Sequence, residues 1–205
     1  DPMRSIAIVG NGPTAAKHGA EIDATEFIVR MNDCRHMGNG AGSRIDALAW
    51  FACRDIGIHV PPGLYEHWIT LPPHRCWPPN WEHIGGWIRI VDQAEARVPI
   101  RWINDRQWQL EEVYVGKPPS CGFTAVHLAL LQFAPCRIVL YGFDATTPDR
   151  PHYDDLPKAD HHDFWSEKRL LAGLCDARDF LGDRWDCEVV WIDRPEIAPP
   201  GPATP

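Results

Sequence analysis

The chain has 205 residues and carries 28 acidic side chains against 20 Lys and Arg, which gives a formal net charge of −8. Its length suits one α/β domain, and a content of 44% hydrophobic and 23% charged residues excludes a disordered or fibrous chain. The acidic balance argues against nucleic-acid binding, which needs Lys and Arg to displace counterions, and no apolar run approaches the roughly 20 residues that cross a bilayer.

The two ends of the chain are expected to lie outside the folded domain. Asp1 and Pro2 precede Met3 and are interpreted as residues left from cloning. The segment Ala198–Pro205 contains four prolines and no large apolar side chain, which predicts a disordered tail. One domain is therefore expected over residues 3–197. Seven cysteines without a C-x-x-C pair, and no secretory signal, predict a reducing, cytoplasmic location.

Short apolar runs in the first half of the chain predict buried strands separated by turns. They are Ser5–Val9, Glu26–Met31 and Ile45–Phe51, with a short helix over Thr14–Glu21 between the first two. The first strand ends in the tight turn Gly10-Asn11-Gly12-Pro13. The stretch from His59 to Trp87 is dense in Trp, Pro, His and Gly and receives no assignment.

The second half continues the alternation of strands and helices. Strands are predicted at Trp87–Val91, Glu112–Val115, Arg137–Tyr141 and Glu188–Ile192, and helices at Phe123–Phe133 and from about Asp163 to Leu181. This alternation predicts a single doubly wound, mostly parallel α/β sheet with Rossmann-like topology. Ligands of such sheets bind beyond the carboxyl ends of the strands. Those ends are Gly10-Asn11, Asn32-Asp33 and Gly142-Phe143.

The first turn matches the dinucleotide fingerprint G-x-G-x-x-A over Gly10–Ala15. An NAD(P)-dependent oxidoreductase is therefore one alternative. Pro13 removes a main-chain donor from the turn, and the helix that follows is short, so the pattern favours a mononucleotide. A strand–turn–helix that binds no ligand also stays open.

Four segments in a fixed order resemble the sialyl motifs of the CMP-sialic acid-dependent sialyltransferases. The segments Ile6–Gly12, Gly19–Asp23 and Phe27–Asn32 resemble the large motif. The segments Pro119–Gly122, His127–Leu130 and Leu140–Phe143 resemble the small motif. His152–Asp155 resembles the third motif, and His162 with Glu167 resembles the very short one. Together they extend from residue 6 to residue 167. The chain departs from the family in having Gly12-Pro13 where a Ser usually follows the motif Asn, and in lacking the disulfide, because Ile6 replaces the first cysteine and Cys136 lies only near the second.

The resemblance implies a variant GT-A fold and an inverting glycosyltransferase. Such an enzyme would move a 2-keto sugar acid, either sialic acid or a Kdo-like sugar, from CMP to a hydroxyl of a glycan or glycolipid. It implies no cofactor and no metal, since the CMP-sugar is itself the donor substrate. A short bacterial, cytoplasmic member working on surface polysaccharide is expected, without a transmembrane segment but with scope for peripheral membrane association.

The same resemblance supplies the expected site residues. Ser120, Cys121 and Gly122 would contact the donor at the start of a helix, where N–H groups point outward, and Asn11, Gly12 and Asn32 would hold the nucleotide. His162 would be the general base, His152 would bind or protonate the departing phosphate, and Glu167 would orient the segment. Plainer interpretations remain for these residues: Ser120 as a helix cap, the Asn residues as turn formers, and His161 in place of His162.

Two further function classes use the same chain differently. Side chains from His152 to Asp163 (His152, Asp154, Asp155, Asp160, His161, His162 and Asp163) could form a hard metal site for a hydrolase, although no fixed ligand spacing supports it. A catalytically silent nucleotide- or carbohydrate-binding domain would instead use the Trp-rich segment Trp68–Trp87 as its binding face.

Overall fold

The computed structural model describes residues 4–32, 34–50, 63–70, 99–144 and 162–196. Seven strands form one parallel sheet in the order β5-β4-β3-β2-β1-β6-β9. They are β1 Arg4–Val9, β2 Phe27–Met31, β3 Ala47–Trp50, β4 Glu66–Ile69, β5 Ile100–Trp102, β6 Cys136–Tyr141 and β9 Cys187–Trp191, while β7 Asp179–Phe180 and β8 Asp183–Arg184 form a separate hairpin. The predicted doubly wound α/β sheet is confirmed.

The direction in which strands are added reverses between β1 and β6. The chain builds β1 to β5 outward on one side, then returns to place β6 against the other edge of β1. Ile8 on β1 is paired with Val29 on β2 and with Leu140 on β6. In open α/β sheets, the carboxyl ends of the strands flank a ligand-binding crevice where the strand order reverses. This edge of the sheet, between β1 and β6, is called the crevice below.

Helices cover the sheet and account for the apolar composition of its strands. They are α1 Gly19–Asp23, α2 Asp105–Val115, α3 Cys121–Phe133 and α4 Phe164–Ala177, with a 3₁₀ helix over Pro13–Lys17. On one face Ile6 and Ile8 belong to the same core as Val126 and Leu130 of α3, and on the other face Ala7 and Val9 pack with Ile22 of α1. None of the described helices is both long and apolar enough to cross a membrane.

Helix α2 corrects the prediction of a strand over Glu112–Val115, which lies in its last turn. The helix begins after Asn104, whose side chain accepts a hydrogen bond from Gln107 N at 2.9 Å, and it ends at Gly116, which has a φ of 82°. The run Val-Tyr-Val favours a strand locally, but burial of Trp108, Glu111 and Val115 on one helical face outweighs that preference.

Other boundaries also differ from the predicted ones. The helix expected over Thr14–Glu21 is divided into the 3₁₀ helix and α1, and the last helix ends at Ala177 rather than Leu181, because Arg178 adopts a left-handed conformation before the β7–β8 hairpin. Strands β4 and β5 were not predicted. The expected strand Trp87–Val91 and the expected tail Ala198–Pro205 lie outside the described residues.

Candidate functional site

The turns after β1 and β6 interlock at the crevice. Gly10 N donates a hydrogen bond to Tyr141 O at 2.8 Å, and Gly12 N donates one to Gly142 O at 3.0 Å. A Cβ atom on either Gly10 or Gly12 would lie 2.5 Å from Gly142 O, closer than real side chains approach a main-chain atom. These two positions therefore need glycine because the neighbouring backbone fills the space of a side chain.

Phe143 and Met31 connect these turns to the start of α3. A Cβ atom on Gly122 would lie 3.1 Å from Met31 Sδ and 3.3 Å from the Phe143 ring, and one on Gly10 would lie 3.5 Å from the same ring. Asn32 directly follows Met31 and has a φ of 48°. The carboxyl ends of β1, β2 and β6 thus meet the amino end of α3 at the crevice. Asn11, Gly12, Asn32 and Gly122 lie at these ends, and their contacts with a nucleotide stay predictions.

Asp144 fills the amino end of the 3₁₀ helix that follows the glycine-rich turn. Its carboxylate accepts a hydrogen bond from Thr14 N at 2.8 Å and another from the Thr14 hydroxyl. Pro13 offers no N–H, and the N–H of Gly12 already binds Gly142 O. The N–H groups of Gly12 and Thr14, which could otherwise receive a dinucleotide pyrophosphate, are therefore occupied within the protein. Sequence analysis missed Asp144, which lies 130 residues from Thr14 along the chain.

Two buried or half-buried side chains hold the loop that follows β2. Asn11 accepts a hydrogen bond from Arg35 N at 3.2 Å. Arg30, which is 1% exposed, donates to Arg44 O and to Ala41 O, each at 2.7 Å. Asn11 therefore has a structural contact in addition to the nucleotide contact expected of it.

Ser120 and Glu167 are joined by two short hydrogen bonds beside the crevice. Ser120 donates its main-chain N–H to Glu167 Oε1 and its hydroxyl to Glu167 Oε2, each at 2.6 Å. The Ser120 hydroxyl also accepts a hydrogen bond from Phe123 N at 3.3 Å, which confirms it as the cap of α3. Because the main-chain N–H of Ser120 is bound to Glu167, the outward main-chain N–H groups of this helix end are those of Cys121 and Gly122.

Burial raises the pKa of two side chains near the start of α3, Glu167 and Cys121. Glu167 is 4% exposed, and this burial raises its pKa to about 8 against the lowering effect of the Ser120 hydrogen bonds, with the charges of Glu111 and Asp163 adding to the rise. Glu167 is consequently protonated for the most part at neutral pH. Burial also raises the pKa of the Cys121 thiol to about 12, so this thiol is neutral at physiological pH.

His162 lies beside the same helix start. Its Nδ1 atom is 2.7 Å from Pro118 O, and its ring packs against Phe164 with the two centroids 5.5 Å apart. A carbonyl oxygen can only accept, so Nδ1 carries the proton and Nε2 is the basic atom. Pro118 is two residues from Ser120, which brings His162 and Glu167 to the same short segment. His152 and His161 lie outside the described residues, so their roles stay predictions.

A second buried carboxyl lies further along α3 and was missed by sequence analysis. Glu111 of α2 accepts a hydrogen bond from the Thr124 hydroxyl at 2.5 Å, and its other oxygen is 2.7 Å from His127 Nδ1. Ser120, Thr124 and His127 are spaced as one face of a helix, and that row of polar residues on an apolar helix was the available signal.

No three His, Cys, Asp or Glu side chains gather to hold a metal ion within the residues that the structure describes. The acidic and histidine residues between His152 and His161, on which the hydrolase alternative rests, fall outside them.

Comparisons with known proteins relate the chain to sialyltransferases by structure. A mammalian sialyltransferase in complex with Gal-β-1-3GalNAc-ortho-nitrophenol matches with a TM-score of 0.53 and 16% identity, over 91% of this chain and 69% of that one. The sialyltransferase CstII from Campylobacter jejuni in complex with CMP-3FNeuAc matches with a TM-score of 0.51 and 14% identity, over 84% of this chain and 76% of that one.

The comparison by sequence matches a much shorter part of the chain than the structural comparisons do. A "urease operon 23 kDa accessory protein" of Rhizobium meliloti (strain 1021) is 50% identical over 46 residues, which is 22% of this chain and 21% of that protein. The match thus spans about a fifth of this curated relative. No protein-family model matches. On the structural comparisons and the strand order, the chain has a sialyltransferase-like fold, a parallel α/β sheet of the Rossmann-like GT-A type.

Proposed function

We propose that the chain is a glycosyltransferase that moves a 2-keto sugar acid from a CMP donor to a hydroxyl of a glycan or glycolipid, with inversion. The observation that carries this proposal is the joint placement of Ser120 and His162. Ser120 is bound to Glu167, and His162 is bound to Pro118, at the helix start that faces the crevice of a sialyltransferase-like sheet. The amino end of α3, which would bind the anion, and the proposed base are thereby held a few residues apart.

The donor would bind through the amino end of α3. This helix has 13 residues, and the N–H groups of Cys121 and Gly122 lie at the positive end of its dipole. Because Glu167 is mostly protonated at neutral pH, it does not cancel that positive end. Asn11, Gly12 and Asn32 would contact the nucleotide from the strand side of the crevice. The negative charge that grows on the CMP phosphate during transfer is then stabilised by donors already in place.

His162 would take the proton from the acceptor hydroxyl. As the bond from the sugar to the CMP phosphate breaks, the acceptor oxygen bonds to the anomeric carbon, its proton passes to Nε2 and CMP departs as the leaving group. The hydrogen bond to Pro118 O places the proton of the neutral ring on Nδ1, which leaves Nε2 as the acceptor, and it fixes the ring. His152 would protonate or bind the departing phosphate. No metal is required in this scheme, since a CMP donor carries a single phosphate.

The proposed acceptor is a bacterial surface glycolipid or polysaccharide, reached in the cytoplasm by peripheral association with a membrane. This part rests on the resemblance of the motifs to the family. The NAD(P) alternative is disfavoured by Asp144, whose carboxylate occupies the N–H and hydroxyl of Thr14 at the first turn.

A binding panel tests the proposal. Melting temperature is measured with CMP, CDP, UDP, NAD and NADP, followed by transfer assays with CMP-sialic acid and CMP-Kdo as donors. We expect CMP to raise the melting temperature most, because ligands that bind only the folded state stabilise it by mass action. A larger response to NAD than to CMP would replace this proposal with an oxidoreductase.

A further inference from the structure

Helix α3 joins two buried carboxyls that come from different helices. Its row of polar side chains binds Glu167 of α4 at Ser120, and Glu111 of α2 at Thr124 and His127. Helices α2 and α4 also pack against each other. Because Ser120, Thr124 and His127 share one face of α3, the two buried carboxyls and their partners form a polar network along that face, and Glu167 lies at the end with the proposed anion site.

Glu111 lies deep in this network. It is 0% exposed, and both of its oxygens are occupied by Thr124 and His127. The His127 ring is packed against the rings of Phe180 and Trp185, with centroids 5.7 Å and 6.3 Å away. Removing a carboxylate from water is costly, so each charge in such a network strongly affects whether its neighbour ionises.

We propose that Glu111 is a positioning residue that controls the charge on Glu167 and thereby the strength with which the start of α3 binds an anion. In its ionised form Glu111 repels a second negative charge and keeps the proton on Glu167. Protonated Glu167 leaves the dipole of α3 available to the ligand. Ionised Glu167 places a negative charge 2.6 Å from Ser120 N and weakens anion binding there. The proposal rests on the function proposed above in taking CMP as that anion.

The titratable groups around Glu167 support the proposal that Glu111 controls the ionisation of Glu167. The titratable groups that face the two carboxyls among the described residues are Cys121 and His127 on α3 and Asp163 at the start of α4. The thiol is neutral, and His127 is bound to Glu111. The charges of Glu111 and Asp163 both raise the pKa of Glu167, and Glu111 has the larger influence. Burial also raises the pKa of Glu111 itself, which its hydrogen bonds with His127 and Thr124 oppose.

The test compares the intact protein with Glu111→Gln, which keeps the shape and removes the charge. Carboxyl ¹³C NMR without ligand gives the midpoint of Glu167 titration, with Glu167→Gln used for assignment, and CMP dissociation constants are measured from pH 7 to pH 9.5. We expect Glu111→Gln to lower the midpoint by roughly 1 pH unit. Above the midpoint, CMP should bind up to about tenfold more weakly per pH unit, since only the protonated fraction binds well.

Two other variants complete the design. Glu112→Gln removes the adjacent, half-buried carboxyl and should leave both curves unchanged. Thr124→Val removes the hydroxyl that stabilises ionised Glu111, so it should lower the titration midpoint of Glu167, but by less than Glu111→Gln does. If Glu111→Gln does not fold, Thr124→Val alone tests the proposal.

An unchanged midpoint in Glu111→Gln and Thr124→Val would overturn the proposal. So would CMP affinity that does not follow the ionisation of Glu167. If the midpoint moves as expected but CMP fails to bind the parent protein at pH 7, the proposed CMP-dependent function is wrong, whereas the control of Glu167 by Glu111 stands.

Discussion

Glu167 receives both the main-chain N–H and the hydroxyl of Ser120, although 47 residues separate them in the chain. The contact fixes the start of α3 against α4, and it is made by a carboxyl with only 4% of its surface exposed. Position and charge at the proposed donor site are thus set by the same pair of side chains, so the pair can be tested through both stability and activity.

Stability should fall as the pH rises from about 5 to about 8. Burial raises the pKa of Glu167 in the folded protein to about 8, so over this range the folded state holds a proton that the unfolded state has released. The free energy of unfolding contributed by this group then decreases by up to about 1.4 kcal/mol per pH unit. Urea unfolding across this range measures the slope.

Glu167→Gln is the control variant for the expected fall in the free energy of unfolding with rising pH. The amide accepts from Ser120 N and donates to the Ser120 hydroxyl, as the protonated carboxyl does, but it cannot ionise. The variant should therefore lose most of the decrease in stability between pH 5 and pH 8. Parallel curves for the two proteins would show that Glu167 ionises normally.

His162→Ala should abolish transfer while CMP binding survives. A general base acts on the acceptor hydroxyl and not on the nucleotide, and its loss costs roughly 10²–10⁴ in rate. Initial rates and CMP dissociation constants are measured on the same preparation. His18→Ala is the matched control, because His18 binds Glu21 and Asp193 instead. Equal turnover by His162→Ala and the parent would point to His161 as the base.

Gly10→Ala should destabilise the fold by about 1–3 kcal/mol, the usual cost of forcing extra atoms into a packed site. The new Cβ would lie 2.5 Å from Gly142 O, a main-chain atom that cannot move aside as a side chain can. Gly63→Ala is the control, since among the described residues the nearest atom to its Cβ would be in the Tyr65 ring, at 3.9 Å. Chemical unfolding of both variants measures the difference, and equal stabilities would mean that the two turns separate easily.

Transfer is expected to continue in excess EDTA. The CMP donor presents one phosphate, which the N–H groups at the start of α3 can stabilise without a cation. Rates are compared in EDTA and with added Mg²⁺ or Mn²⁺. Loss of activity in EDTA and its return with a divalent ion would make the segment from His152 to Asp163 a metal site and would contradict the proposed mechanism.

The sheet and its crevice could be predicted because each depends on local signals. Runs such as Ile6–Val9 and Ile138–Tyr141 are apolar since both faces of a parallel strand are buried, and glycine marks where each strand ends. Strands β4 and β5 lack that signal: Glu66, His67 and Arg101 interrupt their apolar residues, and they form strands by pairing with neighbours.

The polar network could not be predicted, because it depends on contacts between separate helices. Glu111 lies next to the Val-Tyr-Val run that suggested a strand, and the sequence does not reveal its pairing with His127, which is 16 residues further along the chain. The same holds for Asp144 and Thr14. Periodicity indicates which face of a helix is buried, but a buried carboxyl is explained only by the partner that the fold brings to it.

The carboxylate of Asp144 acts as an intramolecular competitor at the first turn. A tethered group acts at an effective concentration in the millimolar range or above, whatever the concentration of free ligands around the protein. A diphosphate entering this turn would have to displace it and leave a negative charge close to its own. A diphosphate is therefore expected to bind weakly at this turn, so that, under the proposed function, the nucleotide would be recognised at the start of α3.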